Sequence, residues 1–319
     1  MQIAVLNRHG FEICERDIPT CGPGQILIKT LACGVCSGDL FIYQNRVELA
    51  DSHSLLGHEA SGMVVGIDRD VTSLAEGDVV TALGTPAYAE YFTTTPDQVV
   101  KLPPEIDPVT ALGEPVACCV HAANRFGTVP GDRVAVVGCG FMGLICLQLA
   151  RYQGAGFVCA LDPVADRRDM SRQLGAHVAL DPTTTYIGEI VAQYGEFDLV
   201  IEAAGSQSAL DLCGDLVKEH GRLILIGYHQ SDGGLRTVHM QQWNLKAIDV
   251  VNGHVRRQDE KAEAMRQGID LMRQGHVVTA PLITTYALAE VETAFRDLTT
   301  GKAGLFKAVL LPDPDFRFP

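Results

Sequence analysis

The chain has 319 residues, 47% of them hydrophobic and 20% charged, with 10 cysteines and a formal net charge of -14. That composition excludes a disordered chain, and the acidic balance excludes binding to phosphate backbones, which relies on clustered Lys and Arg. At about 150 residues per domain, the length implies two domains rather than a single core.

The first ten residues, MQIAVLNRHG, lack a basic segment followed by an apolar one, so no secretory signal is expected. The longest apolar stretch, Val134 to Ala150, is broken by Gly138, Gly140 and Gly143 and is too short to cross a bilayer. The cysteines are too sparse for a disulfide scaffold. They fit a reduced cytoplasm, with neither a membrane nor a nucleic acid as partner.

Up to about Ala117 the chain reads as short β runs between Gly and Pro turns. Examples are Gln25–Lys29 after Gly22-Pro23-Gly24, and Gly62–Ile67 ahead of Glu76-Gly77-Asp78. Three segments of this zone carry donor groups: Gly34-Val35-Cys36-Ser37-Gly38-Asp39, Gly57-His58-Glu59 and Gly113-Glu114-Pro115. A thiolate, an imidazole and carboxylates arriving from separate segments are what zinc requires. Singly, each is weak, because a lone Cys or His is more often a core or structural residue.

The middle zone alternates strands with helices, which implies parallel βαβ units. Strand-like runs are Arg133–Val137, Phe157–Leu161, Leu199–Glu202 and Leu223–Ile226; helical segments include Met142–Tyr152 and Ala165–Leu174. The first strand runs into Gly138-Cys139-Gly140-Phe141-Met142-Gly143, which opens a helix. Glycines there serve a tight turn, close approach of backbone to a pyrophosphate, and helix–strand contact. The helix N-terminus offers free N–H groups to the phosphates, so Gly138, Gly140, Phe141, Met142 and Gly143 are the expected dinucleotide contacts. Asp162 ends the next strand, where a carboxylate accepts ribose hydroxyls and repels a 2′-phosphate, favouring NAD. Arg167 works the other way, by pairing with such a phosphate. From about Val255 the tail has a helix through Met272, another around Leu288–Leu298, and a final strand at Leu305–Leu311.

The three donor segments, in this order ahead of a dinucleotide fingerprint, resemble the zinc-dependent medium-chain dehydrogenase/reductases, which include alcohol and sorbitol dehydrogenases. Gly57 to Gly62, Glu76 to Val80 and Gly221 to Gly227 extend the resemblance over nearly the whole chain. It implies an α/β fold: a GroES-like β-rich catalytic domain from residues 1–117 and 255–319, and a Rossmann doubly wound parallel-sheet domain from 118–254. It further implies a homodimer or homotetramer, and one catalytic zinc among Cys36, His58, Glu59 and Glu114. Asp39 would orient the imidazole, and Gly227 would lie at the cofactor. Glutamate at position 114 matches sorbitol dehydrogenase-like members; alcohol dehydrogenases commonly have Cys there.

Two departures carry consequences. No cysteine lies between Thr81 and Tyr91, where many members insert a four-cysteine lobe, so no structural zinc is expected and Cys33 reads as core. The family's usual hydroxyl two residues after the ligand Cys is here Gly38, and its frequent His five residues after is Phe41. The alcohol proton must leave through Ser37, His53, or a water held by Glu59 or Glu114. The implied activity is zinc-dependent hydride transfer to NAD from a secondary hydroxyl of a small polyol, cyclitol or sugar-like substrate, with Cys36, Ser37, His58 and Glu59 as catalytic residues. Ser37, Tyr43, Asn45, Arg46, His53 and Tyr88 would border the pocket, and His254, Arg256 and Arg257 are candidates for a substrate phosphate or carboxylate, against the commoner reading of exposed basic groups at a helix start. Two rivals exist. A zinc-free NAD(P)H-dependent enone or quinone reductase is opposed by Cys36, His58 and Asp162. A non-catalytic NAD(H) sensor is supported only by Gly38 and Phe41.

Overall fold

A computed structural model describes residues 1–48 and 54–314. His53, one of the expected relay and pocket groups, lies outside the described residues. The chain packs as two compact units, one of Met1–Ala117, Arg257–Gln274 and Thr279–Pro319, the other of Cys118–Arg256 and Gly275–Val278.

The first unit opens with a hairpin of β1 (Gln2–Asn7) and β2 (Gly10–Glu15). It continues with β3 (Ile26–Gly34), α1 (Ser37–Gln44), β4 (Glu59–Ile67), β5 (Val79–Ala82), β6 (Tyr91–Thr94), β7 (Val99–Lys101) and the first turn of α2 (Gly113–Ala123). The second unit contains β8 (Arg133–Val137), α3 (Phe141–Tyr152), β9 (Phe157–Leu161), α4 (Ala165–Gln173), β10 (Val178–Leu180) and α5 (Ile187–Tyr194). It is completed by β11 (Phe197–Glu202), α6 (Gln207–Leu216), β12 (Val217–Leu225), α7 (Met240–Lys246) and β13 (Asp249–Asn252). The tail then returns to the first unit through α8 (Gln258–Arg273), β14 (Ile283–Ala287), α9 (Val291–Thr299) and β15 (Lys307–Leu311).

In the first unit the sheet runs β14-β15-β3-β4-β5-β7, with β6 paired to β3. β3 alternates in burial over its first residues and is buried on both faces from Thr30 onward. Its last residue, Gly34, lies opposite both Glu59 of β4 and Val309 of β15. A Cβ on Gly34 would stand 2.3 Å from Glu59 Oε2 and 2.9 Å from the Lys307 side chain, so glycine is what lets these groups approach. Leu6, Ile28, Val64, Tyr88, Phe92 and Phe295 fill the core beneath this sheet.

The second unit has a six-stranded, all-parallel sheet of order β10-β9-β8-β11-β12-β13. Numbered from β8, this is 3-2-1-4-5-6, the doubly wound order whose ligands bind at the strands' carboxyl ends where the order reverses. β8 and β9 occupy the bounds read from their apolar runs. β12 begins at Val217, before the expected Leu223: Val217 pairs with Phe197 of β11, and after an irregularity that includes His220 at φ +54° the regular register resumes at Arg222.

Candidate metal centre and dinucleotide site

Cys36 lies just past β3, as the N-cap of α1, and its Sγ accepts from Gly38 N at 3.4 Å. His58 and Glu59 enter β4. Their donor atoms and Cys36 Sγ all lie within 4.8 Å of one another. Zinc bonds of about 2.0–2.3 Å place tetrahedral ligands roughly 3.3–3.8 Å apart, so small side-chain movements bring these three onto one ion. A soft thiol, an imidazole and a carboxylate form a donor set suited to zinc, and the fourth position is left to another group.

The electrostatics agree. Burial, reinforced by the Glu59 carboxylate, pushes the Cys36 thiol up to about 12. The carboxylates of Glu59 and Asp39, which add to the burial in opposing a thiolate here, would attract a divalent cation, which in turn would deprotonate the thiol. Asp39 is buried behind the set, with Oδ1 3.7 Å from His58 Nδ1. Asp39 Oδ2 accepts from Tyr88 Oη at 2.7 Å and from Gly57 N at 3.3 Å. The imidazole is thereby steered through its Nδ1 face, leaving Nε2 as the donor nitrogen.

Glu114 is not in this three-residue group. Its carboxylate meets the Lys261 ammonium of α8 at 2.8 Å, with side chains 9% and 16% exposed. Burial raises the Glu114 carboxyl, but Lys261, aided by His58 and Lys307, outweighs it and holds the group below the usual carboxylate range. Glu59 has its own ammonium, that of Lys307, whose Nζ also donates to Val35 O at 2.8 Å. Burial works against the Lys307 charge, but Glu59 and the neighbouring Cys36 and Glu114 raise it.

Several expected pocket residues are otherwise engaged. Tyr43 Oη donates to Glu292 at 2.6 Å, Arg46 stacks over the Tyr43 ring at 4.2 Å, and Asn45 donates to Phe41 O at 2.8 Å. Tyr88 is buried and supports Asp39. Arg257 pairs with Asp259 at the start of α8. Ser37 is exposed on the first turn of α1. Cys33 is fully buried core.

In the second unit, Gly138 follows β8 at φ +92° and Gly140 caps α3. A Cβ on Gly143 would lie 1.9 Å from Gly138 O, so the first turn of α3 packs directly on the loop. Phe141 is buried and Met142 half-buried in that turn. Asp162 follows β9 and is 1% exposed. Its Oδ2 accepts from Cys139 N and its Oδ1 from Val164 N, both at 2.8 Å, while Arg167 stands 3.6 Å away. Gly227 follows β12, where a Cβ would meet Gly205 N at 2.3 Å and Glu202 at 2.4 Å. Its glycine is required by the neighbouring turn. That turn is braced by Glu202, which accepts from Gly205 N at 2.6 Å and faces His229 at 3.0 Å. A cavity of about 380 Å³ beside it is lined by Arg125, Gly227, Tyr228, His229, His254 and Arg256.

Comparison with known proteins agrees with both halves. The alcohol dehydrogenase GroES-like domain family matches residues 22–104, and the zinc-binding dehydrogenase family matches residues 142–273. The chain belongs to the zinc-dependent medium-chain dehydrogenases. It is 26% identical to an L-threonine 3-dehydrogenase of Caldanaerobacter subterraneus subsp. tengcongensis, with 96% of each chain covered. It is 27% identical to a sorbitol dehydrogenase of Halalkalibacterium halodurans, covering 98% of this chain and 99% of that one. A Sinorhizobium meliloti 1021 protein solved with NADP bound shares its fold at a TM-score of 0.86 and 24% identity, covering 98% and 99% of the two chains.

Sequence reasoning about this dehydrogenase missed the two lysines. Lys307 carried a signal: a lone charge in the run Leu305-Phe306-Lys307-Ala308-Val309-Leu310-Leu311 should be buried and paired. Lys261 carried none, because a lysine in the first turns of an amphipathic helix normally faces water.

Proposed function

We propose that this dehydrogenase oxidises a secondary hydroxyl of a small polyol, cyclitol or sugar-like substrate, with NAD as hydride acceptor and one zinc per chain. The observation that carries the reading is the convergence of Cys36, His58 and Glu59, with a glutamate rather than a cysteine at position 114. Its relatives include an L-threonine 3-dehydrogenase and a sorbitol dehydrogenase, named for a hydroxy amino acid and a polyol.

A zinc held there would act as a Lewis acid, lowering the pKa of a substrate hydroxyl. The protein's own groups do the rest. Cys36, His58 and Glu59 would hold the ion, with Asp39, supported by Tyr88, facing the imidazole. Gly138, Gly140, Phe141, Met142 and Gly143 present the α3 N-terminus to the cofactor's pyrophosphate. Asp162, at the end of β9, is the carboxylate that would accept the ribose hydroxyls, and Arg167, 3.6 Å from it, leaves room for some use of NADP. Gly38 and Phe41 supply neither a hydroxyl nor an imidazole to carry the proton away, and Ser37, exposed on α1, is the nearest side-chain hydroxyl along the chain.

Ten free cysteines favour a reducing, cytoplasmic setting, and no helix among the described residues is long and apolar enough to cross a membrane. β13 is an edge strand with exposed residues such as Val250, which favours a homodimer or homotetramer through that edge. The test is elemental analysis followed by a polyol panel with NAD and with NADP. One zinc per chain and NAD-linked turnover of a polyol is the expected result. A zinc-free protein that reduces enones with NADPH would replace the reading.

A further inference from the structure

The metal-site glutamates are held in matching ways. Glu59 of β4 faces Lys307 of β15, and Glu114 of α2 faces Lys261 of α8, all four side chains being largely buried. Only Glu59 joins Cys36 and His58 in the donor group found among the described residues, whereas Glu114 is held by Lys261 at 2.8 Å. Glu114 is nonetheless close: the Thr81 hydroxyl ties Gly113 N, at 2.9 Å, to the carbonyl of Ala60 next to Glu59, at 3.2 Å, and Leu112 packs at Gly34 beside Glu59 and Lys307.

Resting on the zinc reading above, we propose that Lys261 is a positioning residue that keeps Glu114 off the metal. Paired with Lys261, the carboxylate stands in reserve and one coordination position stays open to the substrate oxygen. Released from it, Glu114 closes on the ion as a fourth protein ligand.

The charges support this division. The Cys36 thiolate and the Glu59, Glu114 and Asp39 carboxylates against the Lys261 and Lys307 ammoniums leave two negative charges, which a divalent cation neutralises, so no net charge pulls a further carboxylate onto the ion while Lys261 holds Glu114. Removing the Lys261 charge takes from Glu114 the ammonium that holds it at 2.8 Å, so its buried carboxylate gains more from the cation. Gly113 N, bonded to Thr81 Oγ1 at 2.9 Å, anchors the backbone next to Glu114, so the change is confined to the side chain.

The experiment uses the full chain loaded with cobalt(II), whose visible absorption reports ligand number and exchange, with imidazole as the incoming ligand. In wild type, imidazole should shift the spectrum. In Lys261→Met, imidazole affinity should fall, and metal loss to a chelator should slow, each by about tenfold or more, the scale seen when groups behind metal ligands are changed. Lys261→Gln, which keeps a polar side chain, should move the same way and serves if the Met variant does not fold. In a Glu114→Gln background, Lys261→Met should change neither quantity appreciably, which separates action through Glu114 from simple loss of positive charge. Wild-type imidazole affinity in Lys261→Met, or an equal loss in the Glu114→Gln background, overturns the proposal. Failure of the wild type to take up cobalt overturns the zinc reading and this proposal with it.

Discussion

Glu59 and Lys307 meet across the end of β3, a carboxylate from β4 against an ammonium from β15, with side chains only 2% and 8% exposed. Gly34 between them has no side chain to hold them apart. Removing one partner of a buried pair leaves an uncompensated charge and costs about 3–5 kcal/mol. Lys307→Met should therefore lower stability in urea unfolding of metal-free protein by about that amount, and adding Glu59→Gln should recover part of it. Full wild-type stability in Lys307→Met would show that the pair is not structural.

Zinc should depend on the first unit alone. Cys36→Ala or His58→Ala removes one of the three grouped donors. Each should reduce zinc from about one per chain to a small fraction of that and abolish turnover, since catalytic sites rest on three protein ligands. NADH binding, followed by fluorescence, should persist, because the fingerprint lies in the other unit. Retained turnover in Cys36→Ala would remove the zinc mechanism.

How much of this was legible in sequence depended on whether a residue's role was local. The strand, turn and helix around Gly138 to Gly143 announce themselves within a few positions, because they are set by neighbours, whereas α1 after Cys36 lies in a zone that reads as β runs. β8 and β9 matched their apolar runs for the same reason. Roles that depend on distant packing were hidden. Tyr43 looked like a pocket group, yet it is spent on Glu292, 249 residues along the chain. Lys261 reaches Glu114 over 147 residues, and nothing in either local pattern marks the partnership.

Asp162 should set cofactor choice and hold the loop at once. Its two oxygens already accept from Cys139 N and Val164 N. Hydrogen bonds to a charged group contribute about 1.5–3 kcal/mol each, so Asp162→Ser should loosen the turn and lower the melting temperature. With the carboxylate gone and Arg167 still present, the ratio of kcat/KM for NAD over NADP should fall by about tenfold or more. An unchanged ratio with lost stability would reduce Asp162 to loop support.

Between α3 and its loop there is no room for a side chain, since a Cβ on Gly143 would sit 1.9 Å from Gly138 O. The opposing atom is backbone, and Gly138 itself is fixed at φ +92° by the turn, so neither side yields easily. Gly143→Ala must push the N-terminus of α3 away from the strand, at about 1–3 kcal/mol for overpacking of this kind. The shift also displaces the free N–H groups that would meet the pyrophosphate. NADH affinity should fall by about tenfold or more while zinc content stays at the wild-type level, since charge-assisted bonds from those groups are lost together. A Gly143→Ala protein that binds NADH like wild type would mean that the cofactor's phosphates do not sit on this turn.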